Sequence, residues 1–131
     1  MTNSSKAPKA FILEVDDDRD IRELVTRVLK ADGYEVASAS DGAQALSFIA
    51  VRKPDLVLLD MKMPGKSGSE VLKEIRFLHP GLPVILVTGV TDMEAASAAL
   101  ANGANGYLLK PFQRSELLRS IAETLASGPT G

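Results

Sequence analysis

Cysteine and tryptophan are absent from the chain, and histidine occurs once. Without thiols there are no disulfides, thiolate metal centres or cysteine nucleophiles, which fits a reducing compartment. Neither sign of charge is in large excess: 15 Lys and Arg face 17 Asp and Glu, for a formal net charge of -2. The basic residues are scattered, so direct nucleic-acid binding is not expected. The start, Met1 to Lys9, lacks an apolar signal-like stretch, and no later run approaches the length of a membrane span. A cytoplasmic chain without membrane contact is the expectation.

What is present is enough for one core. With 131 residues, 45% hydrophobic and 24% charged, the chain reads as a single domain over residues 10–127. Residues 1–9 and 128–131 read as flexible tails, and no output domain is expected within this length. Phe11 to Val15 is a short apolar run broken by acids, after which Ile21, Leu24, Val25, Val28 and Leu29 recur at helical spacing up to Gly33. Four more such units follow. Strands are expected at Tyr34–Ala39, Leu56–Leu59, Val84–Val87 and Tyr107–Leu109, and helices over about Gly42–Val51, Ser69–Leu78, Met93–Ala101 and Ser115–Ala126. Such alternation implies an α/β fold: a mostly parallel sheet, doubly wound with helices on both faces. Leu56-Val-Leu-Leu59 and Val84-Ile-Leu-Val87 do not alternate, so both are expected at the centre of the sheet.

In open α/β sheets the chemistry collects beyond the carboxyl ends of the strands. Here those ends carry Asp16, Asp17 and Asp18 after the first strand, Asp60 after the third, Thr88 after the fourth and Lys110 after the fifth. Taken alone, the Asp triplet equally suits a solvated helix start. Asp60 shifts the balance, because an acid ending an apolar run is partly buried beside other acids and needs a counter-charge. A hard divalent cation supplies one: Mg2+ takes carboxylate and phosphate oxygens, and the near-absence of nitrogen and sulfur ligands argues against zinc or copper.

Val15-Asp-Asp-Asp18, Pro54-Asp-Leu-Val-Leu-Leu-Asp-Met-Lys-Met-Pro-Gly65 with Gly68, Val87-Thr-Gly89 and Gly106-Tyr-Leu-Leu-Lys-Pro-Phe112 together resemble the response-regulator receiver family of two-component signalling, the CheY-like superfamily, over nearly all of residues 11–126. The resemblance implies a flavodoxin-like five-stranded sheet of order 2-1-3-4-5 with five helices. It implies that Asp60 accepts a phosphoryl group from a phosphohistidine, with Mg2+ held by Asp17, by Asp16 through water, by Asp60 and by the backbone carbonyl of Lys62. Lys110 would pair with Asp60 or the phosphoryl oxygens, its bond to Pro111 being cis. Thr88 and Tyr107 would form the switch pair. The partner implied is a sensor histidine kinase or a histidine phosphotransfer protein. The chain would be a signalling switch that assists its own phosphorylation and dephosphorylation, not an enzyme, acting on an unspecified target through its fourth-helix, fifth-strand and fifth-helix surface. It would be a monomer or a phosphorylation-dependent dimer, and either free-standing or the receiver portion of a larger hybrid kinase or transcription factor.

Several residues depart from the family pattern. Glu14 stands at a first-strand position that is usually apolar, where a buried carboxylate is costly unless paired or protonated; reaching solvent at the strand end is the preferred of the two readings, and the other stays open. Val90, two residues past Thr88, offers no group to orient water, so slow loss of the phosphoryl group is expected, with Lys62 opposing this by drawing anions. His79, near a helix end, reads as structural. The helix over Met93–Ala101, rich in small residues, is expected to pack loosely and to shift. Three rivals remain: a magnesium-dependent phosphohydrolase, in one class of which a general acid stands where this chain has Lys62; an FMN binder, whose phosphate the acidic cluster would repel; and a degenerate receiver that serves only as an interaction module.

Overall fold

The computed structural model describes residues 7–127. Residues 1–6 and 128–131, most of the expected tails, lie outside the described residues; Lys9, also assigned to a tail, donates its backbone N–H to Gly33 O at 2.9 Å. Five strands alternate with five helices: β1 (Phe11–Val15), α1 (Arg19–Ala31), β2 (Glu35–Ala39), α2 (Gly42–Val51), β3 (Leu56–Asp60), α3 (Gly68–Leu78), β4 (Val84–Thr88), α4 (Met93–Ala101), β5 (Gly106–Leu109) and α5 (Arg114–Ala126). All pairings are parallel, in the order β2-β1-β3-β4-β5. This is the doubly wound, flavodoxin-like arrangement, in which β1, β3 and β4 are buried along their whole length.

Alternation along the strands divides the core in two. Leu13, Val15, Val57, Leu59, Val84 and Leu86 pack with Ala45 and Ile49 of α2, Val71, Leu72 and Ile75 of α3, and Ala99 of α4. Ile12, Leu56, Leu58, Ile85 and Leu108 pack with Val25 and Leu29 of α1 and Leu117 and Ile121 of α5. The central strands are thus removed from water on both faces, which is why they can dispense with polar alternation.

Two strands run one residue further than their apolar runs. Asp60 still pairs with Val87, and Thr88 with Leu109, so each polar residue is held in the ladder instead of being released to a loop. A short 3-10 turn over Val90–Asp92 precedes α4. Among the described residues no helix is long and apolar enough to cross a membrane.

Candidate functional site

The carboxyl ends of β1, β3, β4 and β5 bring Asp16, Asp60, Thr88 and Lys110 to one edge of the sheet. Asp16 is buried and its backbone N–H donates to Ala39 O, extending the β1–β2 ladder by one step. Asp18 is exposed and caps α1, accepting from the N–H groups of Asp20 and Ile21. The acidic triplet therefore does two jobs: its last member is the helix start that sequence alone allowed, and its first faces the site. Asp16 Oδ1 accepts from the Asp18 N–H at 2.9 Å, and Arg22 donates to the Asp16 carbonyl at 2.8 Å. These bonds hold the β1–α1 turn in shape.

Carboxylate oxygens of Asp16, Asp17 and Asp60 lie within 4.8 Å of one another, with Asp17 exposed and the other two buried. Lys110 reaches in from the end of β5, its Nζ 3.3 Å from Asp16 Oδ2 and 3.4 Å from Asp60 Oδ1. Its backbone N–H donates to Thr88 O at 2.8 Å, and the Lys110-Pro111 peptide bond is cis. Burial, and then the charge of Asp16, push the Asp60 carboxyl up to about 6, against the pull of Lys110 and the Lys62 N–H. Burial works against the Lys110 charge, but Asp60 and Asp16 outweigh it and hold the ammonium above its ordinary value.

Asp60 is crowded on its backbone side as well. A Cβ on Gly68, the first residue of α3, would sit 2.6 Å from Asp60 O and 2.7 Å from Met61 Cα. Only glycine lets the N-terminus of α3 close onto the end of β3. Ser67 and Glu70 fix that terminus reciprocally, Ser67 Oγ accepting from the Glu70 N–H and Glu70 Oε1 from the Ser67 N–H.

A buried acid raised by its neighbour is a site short of positive charge, and every acidic side chain converging there offers oxygen. That donor set fits a small hard dication such as Mg2+. Residues 12–122 match the family model described as the response regulator receiver domain. The chain belongs to the response-regulator receiver family. This receiver domain is 44% identical over 114 residues to the response regulator MprA of Mycobacterium sp. (strain KMS), and 39% identical to the DNA-binding response regulator MtrA of Mycobacterium tuberculosis (strain ATCC 25618 / H37Rv). Each alignment covers 87% of this chain and 50% of the relative, so the chain spans about half the length of the curated relatives it matches. Among solved structures, the receiver domain of NtrX from Brucella abortus superposes with a TM-score of 0.86 at 38% identity, covering 89% of this chain and 99% of that one. Vibrio cholerae chemotaxis protein CheY4 gives 0.83 at 34%, covering 88% and 98%. Receiver domains of this kind are signalling switches.

The remaining residues singled out from sequence fall as follows. Thr88 is buried at the end of β4 and donates to Gly89 O at 3.3 Å. Tyr107 is on the edge strand β5, with 41% of its surface exposed. Thr88 being buried and Tyr107 exposed, the two members of the expected switch pair stand at different depths. Lys62 is exposed, its backbone N–H 3.4 Å from Asp60 Oδ1, and Val90 is exposed too. His79 is the C-cap of α3.

Glu14 corrects the expectation of a solvent-reaching side chain: it is only 2% exposed. Its register partners are Ser38 and Leu58, and α1 closes over it, so that Oε2 accepts from Thr26 Oγ1 at 2.7 Å while Oε1 has no partner. Desolvation pushes this carboxyl up to about 8, with Thr26 opposing the shift.

Proposed function

We propose that this receiver domain is a phosphoacceptor switch in which a carboxylate oxygen of Asp60 attacks the phosphorus of a phosphohistidine on a sensor kinase or histidine phosphotransfer protein. The new O–P bond forms as the P–N bond breaks, leaving an acyl phosphate on Asp60 and a free imidazole on the donor. The supporting observation is the placement of Asp60: buried at a strand end, within ion-pair distance of Lys110 and clustered with Asp16 and Asp17. Phosphoryl transfer passes through a loose, highly charged transition state, so alignment and charge neutralisation are most of what a protein must supply.

Asp16, Asp17, Asp60 and the Lys62 carbonyl are the groups that would hold Mg2+, which when bound adds charge neutralisation at the phosphoryl oxygens. Lys110 supplies a fixed ammonium on the same side. Thr88 ends the neighbouring strand β4; in this reading its hydroxyl leaves Gly89 O to donate to a phosphoryl oxygen, and Tyr107 responds by turning inward. The surface so altered is that of α4, β5 and α5. The relative MtrA is described as DNA-binding; for the present chain, balanced in charge, the contribution proposed is phosphoacceptance and not contact with nucleic acid.

The test is incubation with Mg2+ and a small-molecule phosphodonor. Wild type is expected to gain one base-labile phosphoryl group by intact mass, and Asp60→Asn none. A wild type that stays unmodified, or an Asp60→Asn protein labelled equally, overturns the proposal.

A further inference from the structure

Arg76, in the last turn of α3, makes contacts that the phosphoryl site does not account for. Its Nη1 donates to Leu82 O at 2.7 Å and more weakly to His79 O, its Nε to Gly103 O at 2.8 Å, and its Nη2 to Asn105 Oδ1 at 2.9 Å. All four acceptors are carbonyl oxygens, so the guanidinium is balanced by peptide and amide dipoles and not by a carboxylate. Its position explains how: His79 caps the C-terminus of α3, and Gly103 lies just past that of α4, so one cation serves the negative ends of two helices. Asn105 continues the chain of contacts, its Oδ1 accepting from the Val84 N–H and its own N–H donating to Val84 O, at the first residue of β4. Gly103, at φ +108, passes so close that a Cβ there would stand 3.0 Å from Arg76 Cδ and Nε.

The other end of α4 has nothing comparable. Asp92 occupies the N-cap position without a side-chain hydrogen bond, and the turn leading into it carries the exposed Val90. Along the helix only Ala96 and Ala99 are buried, so few apolar contacts resist a change of tilt. Thr88, the residue expected to move with the phosphoryl group, precedes this loose end.

We propose that Arg76 clamps the C-terminal end of α4, so that α4 responds as a lever about residues 102–105, with its uncapped N-terminal turn as the part that moves. The proposal rests on the phosphoacceptor reading for its trigger. The clamp itself does not depend on that reading.

Hydrogen exchange on the intact chain, with and without Mg2+ and beryllofluoride, separates the two. Binding of the analogue is followed independently by fluorine NMR. In wild type, exchange over residues 90–96 is expected to change on binding, while residues 102–105 keep their rate. Arg76→Lys retains the charge but loses the planar fork. In that variant, exchange at 102–105 is expected to rise about tenfold even without analogue, and binding is expected to alter both ends of α4. Analogue binding that changes both ends alike in wild type overturns the lever, as does an Arg76→Lys protein whose 102–105 protection is unchanged. If fluorine NMR shows no bound analogue, the phosphoacceptor reading fails and takes the trigger with it. The Arg76→Lys comparison in the free protein still decides the clamp.

Discussion

With its carboxyl pushed up to about 8 by burial, Glu14 holds its proton at neutral pH in the folded protein, whereas the unfolded chain has lost it above about 4.5. The folded state therefore binds the extra proton between those values, and stability falls as pH rises through them. Asp60 acts in the same direction, but only from 3.8 to about 6. Between pH 6 and 8, in Mg2+-free buffer, the fall from these two groups belongs to Glu14 and reaches at most about 1.4 kcal/mol per pH unit. Glu14→Gln is expected to flatten that part of the curve and to raise stability at pH 8, measured by urea unfolding; a slope that persists in the variant counts against the assignment. Alternation along β1 shows which face Glu14 takes, but not that α1 closes over it, and so its burial was not legible in the sequence. Asp60 and Lys110 were legible because their strands are apolar up to the last residue. Val90 and Lys62, both exposed and each two residues past a strand-end polar residue, make a second forecast: because the valine offers no group to orient water, the phosphoryl group on Asp60 is expected to last minutes or longer at neutral pH. Decay within seconds in a phosphate-release assay, or a lifetime lengthened by Lys62→Ala, would show that the lysine outweighs the valine.

At the scale of elements, the alternation of apolar runs with helical stretches located all five βα units; α1 and the central strands bury enough surface to print their pattern on the chain, whereas α4, with only Ala96 and Ala99 buried, is marked by its alanine content. The discrepancies sit at ends. β3 and β4 continue into Asp60 and Thr88 since the backbone ladder does not require apolar side chains. The Arg76 contacts join segments distant in sequence, and no local pattern announces them. The start of α3 carries its own test. Gly68→Ala forces the new methyl toward the Asp60 carbonyl, so either α3 retreats or β3 bends. A loss on the order of 1–3 kcal/mol is expected from such overpacking, together with weaker phosphoryl uptake at Asp60. An alanine variant with unchanged stability and uptake would show that α3 can withdraw without disturbing the site.

For the molecule as a whole, the acidic edge is expected to make stability dependent on Mg2+. A ligand that binds only the folded state adds about 2.7 kcal/mol at one hundred times its Kd, so a rise of several degrees in Tm is expected when Mg2+ replaces EDTA. The rise should shrink in Asp17→Asn, whose exposed carboxylate touches little else; an equal shift in that variant would place the ion elsewhere. The same edge has a consequence for order of arrival. With its carboxylates ionised the cluster carries three negative charges, from Asp16, Asp17 and Asp60, against one positive charge on Lys110, for a sum of -2. An incoming phosphoryl donor is itself an anion and is repelled by such a surface. One dication brings the sum to zero. On the proposed reading the bare domain is therefore a gate held against phosphoryl donors, and the metal is expected to be the key that turns first.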